Sequence, residues 1–428
     1  MIGFTRRRSH AVTLGLTAGL LSLAYIGHAR AEAQLLIEAS TGKVLHAENA
    51  TYPWYPASVT KLMTAYTTLR AVKEAKISLN TLLTVSRNAA AQQPTKMGFK
   101  VGTTVTVDNA LKMLMVKSAN DVAVTIAEGV GGSLEGFADL MNANARRLGM
   151  TQSNFVNPNG LPAENHVTSA RDLAILARAL IREFPEYDSY WHIVSIRYGN
   201  RVMRNYNSLI DRYPGADGIK TGFICASGYN VVASATRNGR RLIAVVLGSW
   251  SGAVRAQKAA QLLERGFNSG GLSWLTPSLG TVDALAPIDA PPPNLRDEMC
   301  GGHRRKPPSE ENEEEPEDAA AAASGESGGS PALLLSSLKP ANGKFVLGPP
   351  VETTPPIVVF TGPADHPDPV VQAAAPKKKK KAVAKTEGAE KKAKADDAAK
   401  TAKTAATAKS AKPAAAKHPK PKVSSATQ

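Results

Sequence analysis

The strongest constraint on this chain is the order of its segments between residues 34 and 267. Strand-like pieces lie at the two ends and helical pieces lie between them. Leu35-Leu36-Ile37 and Val44-Leu45 flank the turn residues Ser40-Thr41-Gly42-Lys43. Near the other end, residues 230–236 and 242–247 are β-branched apolar runs on either side of Arg237-Asn238-Gly239, which predicts a hairpin. Residues 58 to about 76 repeat apolar positions at helical spacing through Leu62, Ala65, Tyr66, Leu69 and Val72. Further helices are predicted over 108–117, 121–128 and 133–148, the last stopped by Gly149. Ser169-Ala170-Arg171-Asp172 resembles a capping box, with Asp in place of Glu, and opens a helix to about 184. Residues 255–267 return to helix. The simplest arrangement is an α/β (α+β) fold whose antiparallel sheet is assembled from both ends around a helical insertion.

Outside this stretch the composition changes. Residues 1–31 carry Arg6, Arg7 and Arg8, an apolar run over 11–26 and the small-residue site Ala29-Arg30-Ala31. This is the layout of a secretory signal peptide. Residues 271–375 hold Pro291-Pro292-Pro293, an acidic run over 310–318 and Gly/Ser-rich sequence, and read as a low-complexity linker. Short apolar pieces within 344–361 are too small for a core of their own. Residues 376–428 are Lys/Ala/Pro-rich and read as a basic disordered tail. The expected division is therefore a leader at 1–31, a folded domain at 32–270, a linker and a tail. No later stretch reaches membrane-spanning length, so export to the periplasm, soluble or peripheral to the inner membrane, is expected.

Charge follows the same division. Of a formal net charge of +16, residues 377–422 contribute +12 and residues 1–31 contribute +4, leaving the rest near neutral. A basic nucleic-acid-binding domain is excluded on this ground, and no specific nucleic-acid partner is expected. Two cysteines exclude a disulfide-stapled mini-protein and a four-cysteine zinc site. Cys225 and Cys300 can pair after export, although Cys300 falls in the apparent linker.

Three short motifs occur in order within the dense region: Ser58-Val59-Thr60-Lys61, Ser118-Ala119-Asn120 and Lys220-Thr221-Gly222. The first alone is weak, and Ser336-Ser337-Leu338-Lys339 repeats its spacing in the linker. Each residue also has an ordinary reading: Ser58 as a helix cap, Lys61 as a solvated helix lysine, Ser118 as a turn residue, Lys220 as a surface charge. Order and context favour chemistry. Ser58 at a helix start places Lys61 one turn on, on the same face. A serine hydroxyl becomes a nucleophile when a base takes its proton. A lysine is such a base when a dry site and the helix dipole disfavour its charged form, and Leu62, Met63 and Tyr66 are the apolar neighbours for that. Ser118 can pass a proton and Asn120 can fix a carbonyl. Gly222 lets a substrate backbone lie close to a strand edge, with Lys220 and Thr221 supplying charge and a hydroxyl for a carboxylate.

These motifs and their surroundings resemble the penicillin-binding D-alanyl-D-alanine carboxypeptidase family, serine DD-peptidases of low molecular mass. The likeness is carried by residues 56–64, 217–222, 228–236, 157–161 and 168–172 and covers about residues 34–267. It implies a serine β-lactamase/DD-peptidase-like fold, an antiparallel sheet flanked by helices beside an all-helical lobe. It implies that Ser58 attacks the penultimate D-alanine carbonyl of a peptidoglycan stem peptide, with Lys61 as base. Ser118 and Lys220 would relay the proton. The N–H groups of Ser58 and Phe223 would form the oxyanion hole. Asn120 would hold the peptide, and Thr221 with Arg255 would bind the terminal carboxylate. β-Lactams would acylate Ser58, and no metal or cofactor is implied. The chain departs from the family pattern at Asn159 and Phe223, where histidine is usual, and at Tyr206, where some members have arginine. No β-rich second domain or amphipathic anchor is legible after residue 268, and the lysine-rich tail is the candidate contact with anionic membrane or wall polymer. A DD-endopeptidase using the same residues and a non-catalytic penicillin- or wall-binding protein are the alternatives. A class A β-lactamase is disfavoured because no E-x-x-L-N phrase is present.

Overall fold

The computed structural model describes residue 3 and residues 32–269, 278–302, 347–350 and 354–368. The chain divides into two units, Met1–Ala373 and Ala374–Gln428, and every described residue belongs to the first. The leader (residue 3 apart), the acidic run and the lysine-rich tail lie outside the described residues.

The strands expected at the two ends do form one sheet. β1 (Ala33–Glu38) and β2 (Val44–Glu48) join β7 (Ala216–Ile224), β8 (Gly228–Arg237) and β9 (Arg240–Ser249) in the order β2-β1-β9-β8-β7, antiparallel throughout. The β8–β9 turn has Asn238 at φ 51° and Gly239 at φ 74°. Two successive positive φ values suit the tight hairpin that Asn-Gly favours. Side-chain alternation gives the sheet two buried faces. Leu35, Ile37, Val232, Ile243, Val245 and Leu247 face α1 (Lys61–Lys73) and α6 (Ala170–Glu183). Leu36, Val231, Ala233, Leu242, Ala244 and Val246 face α7 (Gly252–Asn268) through Ala256, Ala259, Ala260 and Leu263.

The helical insertion comprises α2 (Arg87–Ala91), α3 (Val107–Val116), α4 (Asn120–Gly131) and α5 (Leu134–Arg147), with β3 (Leu82–Thr84) and β4 (Thr104–Thr106) paired beside them. Ser86, Thr106, Ser133, Ser169 and Ser251 cap α2, α3, α5, α6 and α7 with side-chain oxygens, which is why these helices begin where they do. The expected reciprocal box at Ser169 is only half made. Ser169 accepts from the Asp172 N–H, but the Asp172 carboxylate accepts from Gln152 N, Ser153 Oγ and Arg171 instead.

Three expectations need correction. The predicted helix from residue 58 begins as a 3-10 turn, Ala57–Thr60, and becomes α-helical only at Lys61. Residues 278–302, read as linker, pack on the domain. Val282 and Met299 are buried in its core, Val282 N–H donates to Gly42 O, and Leu295 N–H donates to Ala226 O. Cys300, on α8 (Arg296–Cys300), forms a disulfide with Cys225 at the end of β7. Residues 354–368 also dock: β10 (Ile357–Val358) pairs in parallel with β5 (Ser195–Tyr198), which itself forms a hairpin with β6 (Arg201–Arg204). A few apolar residues that cannot build a core can still complete an existing one. Among the described residues no helix is long and apolar enough to cross a membrane.

Candidate active site

The 3-10 turn bearing Ser58 is fixed from both sides. Ala57 sits at φ 50°. Gly160, at φ 82°, packs against it so closely that a Cβ there would lie 1.8 Å from Ala57 O. On the other side Gly222 of β7 faces Ser58, and a Cβ at 222 would lie 2.6 Å from Ser58 N. The glycine of the third motif thus leaves room for the turn bearing Ser58. Asn230, paired with Gly222 across β7 and β8, donates from Nδ2 to Tyr55 O and Pro56 O, tying the residues before Ser58 to the sheet.

Lys61 is completely buried, and its Nζ donates to three oxygens: Ser58 Oγ at 3.0 Å, Asn120 Oδ1 at 2.8 Å and the Asn159 carbonyl at 2.7 Å. Leu62, Met63 and Tyr66, the expected apolar neighbours, are buried as well. Asn120 caps this arrangement from the helical side, donating from Nδ2 to Gln93 O. Its amide is therefore engaged first with Lys61, where sequence reading gave it to the substrate. The loop that offers Asn159 O is itself bolted down. Thr64 Oγ1 donates to Pro158 O at 2.6 Å, and Asn157 Oδ1 accepts from Gly160 N. Asn159 Nδ2 donates to Gln92 Oε1.

Ser118 lies between α3 and α4 at φ 57°, with Thr95 Oγ1 donating to its carbonyl. Its hydroxyl is buried and has no hydrogen-bond partner among the described residues, so it is available to a reacting group. Lys220 and Thr221 are buried on β7, and Lys220 Nζ donates to Thr221 O. A bulge just ahead, where Asp217 interrupts the β7–β8 register, aims this stretch. Asp217 accepts from Ser234, Thr236 and Arg241, and Ile219 is held at φ 99°, a conformation β-branched residues avoid. Phe223 stacks on Tyr229 with ring centroids 4.2 Å apart. Arg255 is connected to the site one step removed: its guanidinium donates to Asn230 O and Tyr206 O at 3.3 Å each. Lys117, next to Ser118, reaches across to donate to the Tyr206 hydroxyl at 3.0 Å.

Sequence reading missed the support beneath the nucleophile. His166 Nδ1 accepts from Val156 N at 3.0 Å, so Nε2 carries the hydrogen and donates to Thr60 Oγ1 at 2.8 Å. Burial pulls the His166 pKa down to about 4, which keeps the ring in this neutral state. A histidine between two motif-like phrases was the available signal.

A buried lysine shared between a serine hydroxyl, a side-chain amide and a loop carbonyl is the chemistry of serine acyl transfer. The sequence signature of D-alanyl-D-alanine carboxypeptidases, peptidase S11, matches residues 23–251, just over half of the chain. The chain belongs to this family. It is 37% identical over 248 residues to the D-alanyl-D-alanine carboxypeptidase DacC of Escherichia coli, covering 55% of this chain and 61% of that relative. It therefore spans about three fifths of that curated relative's length. Among solved structures it is similar to penicillin-binding protein 5 of Haemophilus influenzae, with TM-score 0.54, 34% identity, and coverage of 56% of this chain and 71% of that one. Penicillin-binding protein D2 of Listeria monocytogenes, solved in a cefotaxime-bound form, aligns with TM-score 0.51, 29% identity, and coverage of 55% of this chain and 96% of that one.

Proposed function

We propose that the chain is a serine-type D-Ala-D-Ala carboxypeptidase that trims the terminal D-alanine from peptidoglycan stem pentapeptides. The observation carrying this reading is the buried Lys61 side-chain nitrogen in contact with Ser58 Oγ, Asn120 Oδ1 and Asn159 O. Ser58 Oγ attacks the carbonyl carbon of the penultimate D-alanine while its proton passes along the 3.0 Å contact to Lys61 in its neutral amine form, which becomes the ammonium. The developing oxyanion is held by the N–H groups of Ser58 and Phe223, and losing one such donor typically costs about 10²–10³ in rate. Collapse breaks the peptide bond. The leaving D-alanine nitrogen takes a proton from Lys61 by way of Ser118 Oγ, with Lys220 beside the relay. Water then hydrolyses the Ser58 ester. Thr221 and Arg255 orient the terminal carboxylate. A β-lactam enters the same path, its ring opened by Ser58.

The domain division and location belong to the same reading. Residues 1–31 direct export, and 32–270 carry the catalytic fold together with the docked segments 278–302 and 354–368. The 16 lysines of 377–422 hold the enzyme near anionic lipid or wall polymer in the periplasm, at about 1 kcal/mol per lysine at a charged surface. Liposome binding by the full chain should fall when 376–428 are deleted. Binding that stays the same removes the tail from the account.

The test of activity gives the purified chain and its Ser58→Ala variant a monomeric pentapeptide muropeptide and reads products by mass spectrometry. Loss of one alanine only with Ser58 present is the expected result. No loss from the monomer, with cleavage of crosslinked dimers instead, would make the protein an endopeptidase.

A further inference from the structure

Residues 354–368 return to the catalytic domain far downstream of it and bind at a seam. Val359 is buried, and its N–H donates to Arg197 O at 2.9 Å, extending the pairing of β10 with β5. β5 is thereby paired on both edges, by β6 and by β10. This is strand addition in cis, in which main-chain bonds hold the segment and one buried side chain anchors it. From the next residue the segment changes partners. Phe360 N donates to Asn109 Oδ1 at 3.2 Å and Gly362 N donates to Thr104 O at 2.8 Å. Both acceptors stand at the N-terminus of α3, where Thr106 Oγ1 caps the helix and also accepts from Asn109 Nδ2. The segment thus straps the start of α3 to β5.

The same two elements meet again beside Ser118. α3 runs for ten residues, about 15 Å, and ends at Lys117 and Ser118. The β5–β6 hairpin ends at Arg204 and leads directly to Tyr206. Lys117 Nζ donates to the Tyr206 hydroxyl, and the Tyr206 carbonyl accepts from Arg255. Two other contacts brace this seam: Tyr190 Oη donates to Asp108 Oδ1, and Phe99 packs edge-on against Tyr198. Neither engages the outer edge of β5. By contrast, the hydrogen bonds of Val359, Phe360 and Gly362 go to Arg197, Asn109 and Thr104, and not to Lys61, Asn120 or the 157–160 loop.

We propose that residues 354–368 are a positioning element of the substrate's carboxylate wall. By fixing the β5–β6 hairpin to the start of α3, the strap sets where Tyr206 stands relative to Lys117 and Arg255. This rests on the reading above that Arg255 takes part in binding the substrate's terminal carboxylate. Because the strap holds the two elements that carry the wall and not the nucleophile turn, its loss acts on substrate binding rather than on the chemical step.

The test uses the full chain with Val359→Asp, which puts a carboxylate in a buried site, and Val359→Ile as the conservative control. A second variant, Gly362→Ala, disturbs only the strap, since residue 362 is at φ 81° and a Cβ would lie 2.8 Å from Asp368. Pentapeptide hydrolysis gives KM and kcat, and amide hydrogen exchange follows residues 195–206 and 117–118. Val359→Asp and Gly362→Ala should raise KM by about 2–30-fold with kcat within twofold. Exchange should rise at both places, Val359→Ile should behave as wild type, and a synthetic 354–368 peptide added in trans should restore KM to Val359→Asp. Unchanged KM, a fall in kcat without a KM change, or unaltered exchange at 195–206 overturns the proposal. A wild-type chain with no Ser58-dependent release of alanine defeats the carboxypeptidase reading instead, and the strap is then judged by exchange at 117–118 and 206.

Discussion

The two sides of the proposed site are built on different plans. On the nucleophile side, Lys61, Thr60 and Thr64 make side-chain hydrogen bonds of 2.6–3.0 Å, and their partners come largely from one loop and its flanking histidine. On the side proposed to hold the carboxylate, Arg255 donates to two carbonyls at 3.3 Å, and Lys117 and Tyr206 arrive from separate elements fastened at a distance. The first side fixes reacting atoms and leaves them little freedom. The second can adjust to a ligand. Changes on the first side should therefore lower kcat, and changes on the second should raise KM.

The largest effect should come from Lys61→Ala. Removing the proton acceptor should lower the acylation rate by about 10²–10⁴-fold, measured by stopped-flow with a chromogenic β-lactam. An effect confined to KM would erase the contrast between the walls.

His166 tests how firmly the nucleophile side is fixed. Its folded pKa, about 4, lies below the ordinary value of 6.5 because the ring is buried. The unfolded chain takes up a proton as pH falls through 6.5 and the folded chain does not until about 4. Stability is thus lost across that window, by on the order of 3 kcal/mol for the full shift. Asp172, whose pKa burial raises, works in the opposite sense, so the comparison must be with a variant. His166→Asn, which keeps an acceptor for Val156 N, should flatten the dependence in urea melts between pH 6.5 and 4. An unchanged slope would assign the loss to other groups.

Gly222→Ala should come next. The added Cβ at 2.6 Å from Ser58 N must displace the nucleophile turn, and a misplacement of about 1 Å can cost about 10²-fold in kcat. Steady-state kinetics on the pentapeptide reads this directly. Normal kcat would mean that the turn tolerates movement.

Tyr206→Phe should have the smallest effect. Removing the hydroxyl that receives Lys117 should raise KM by about 2–12-fold, the worth of one hydrogen bond, and leave kcat unchanged. A fall in kcat would place Tyr206 with the chemistry.

The same contrast describes what could be read from the residues. The sheet was legible because its strands alternate and Asn238-Gly239 marks the hairpin. Ser58, Lys61 and Asn120 were legible as motif residues, and they do converge. Asn159 was noticed as a departure in its side chain, yet what reaches Lys61 is its backbone carbonyl, an acceptor every residue carries. Gly160 was read as a phrase member and Gly222 as room for a substrate backbone, but both pack against the turn bearing Ser58, more than a hundred positions away. Residues 354–368 were illegible for a related cause. A two-residue strand behind Pro355-Pro356 has no periodicity, and its partner β5 lies some 160 residues earlier.

The central claim is that Ser58, served by Lys61, forms the acyl-enzyme. Incubating the full chain with benzylpenicillin, digesting it and mapping the adduct by mass spectrometry tests that claim most directly. The account predicts the penicilloyl mass on the peptide containing Ser58, absent from Ser58→Ala and slow to appear in Lys61→Ala. An adduct on another residue, or equal labelling of Ser58→Ala, would contradict it.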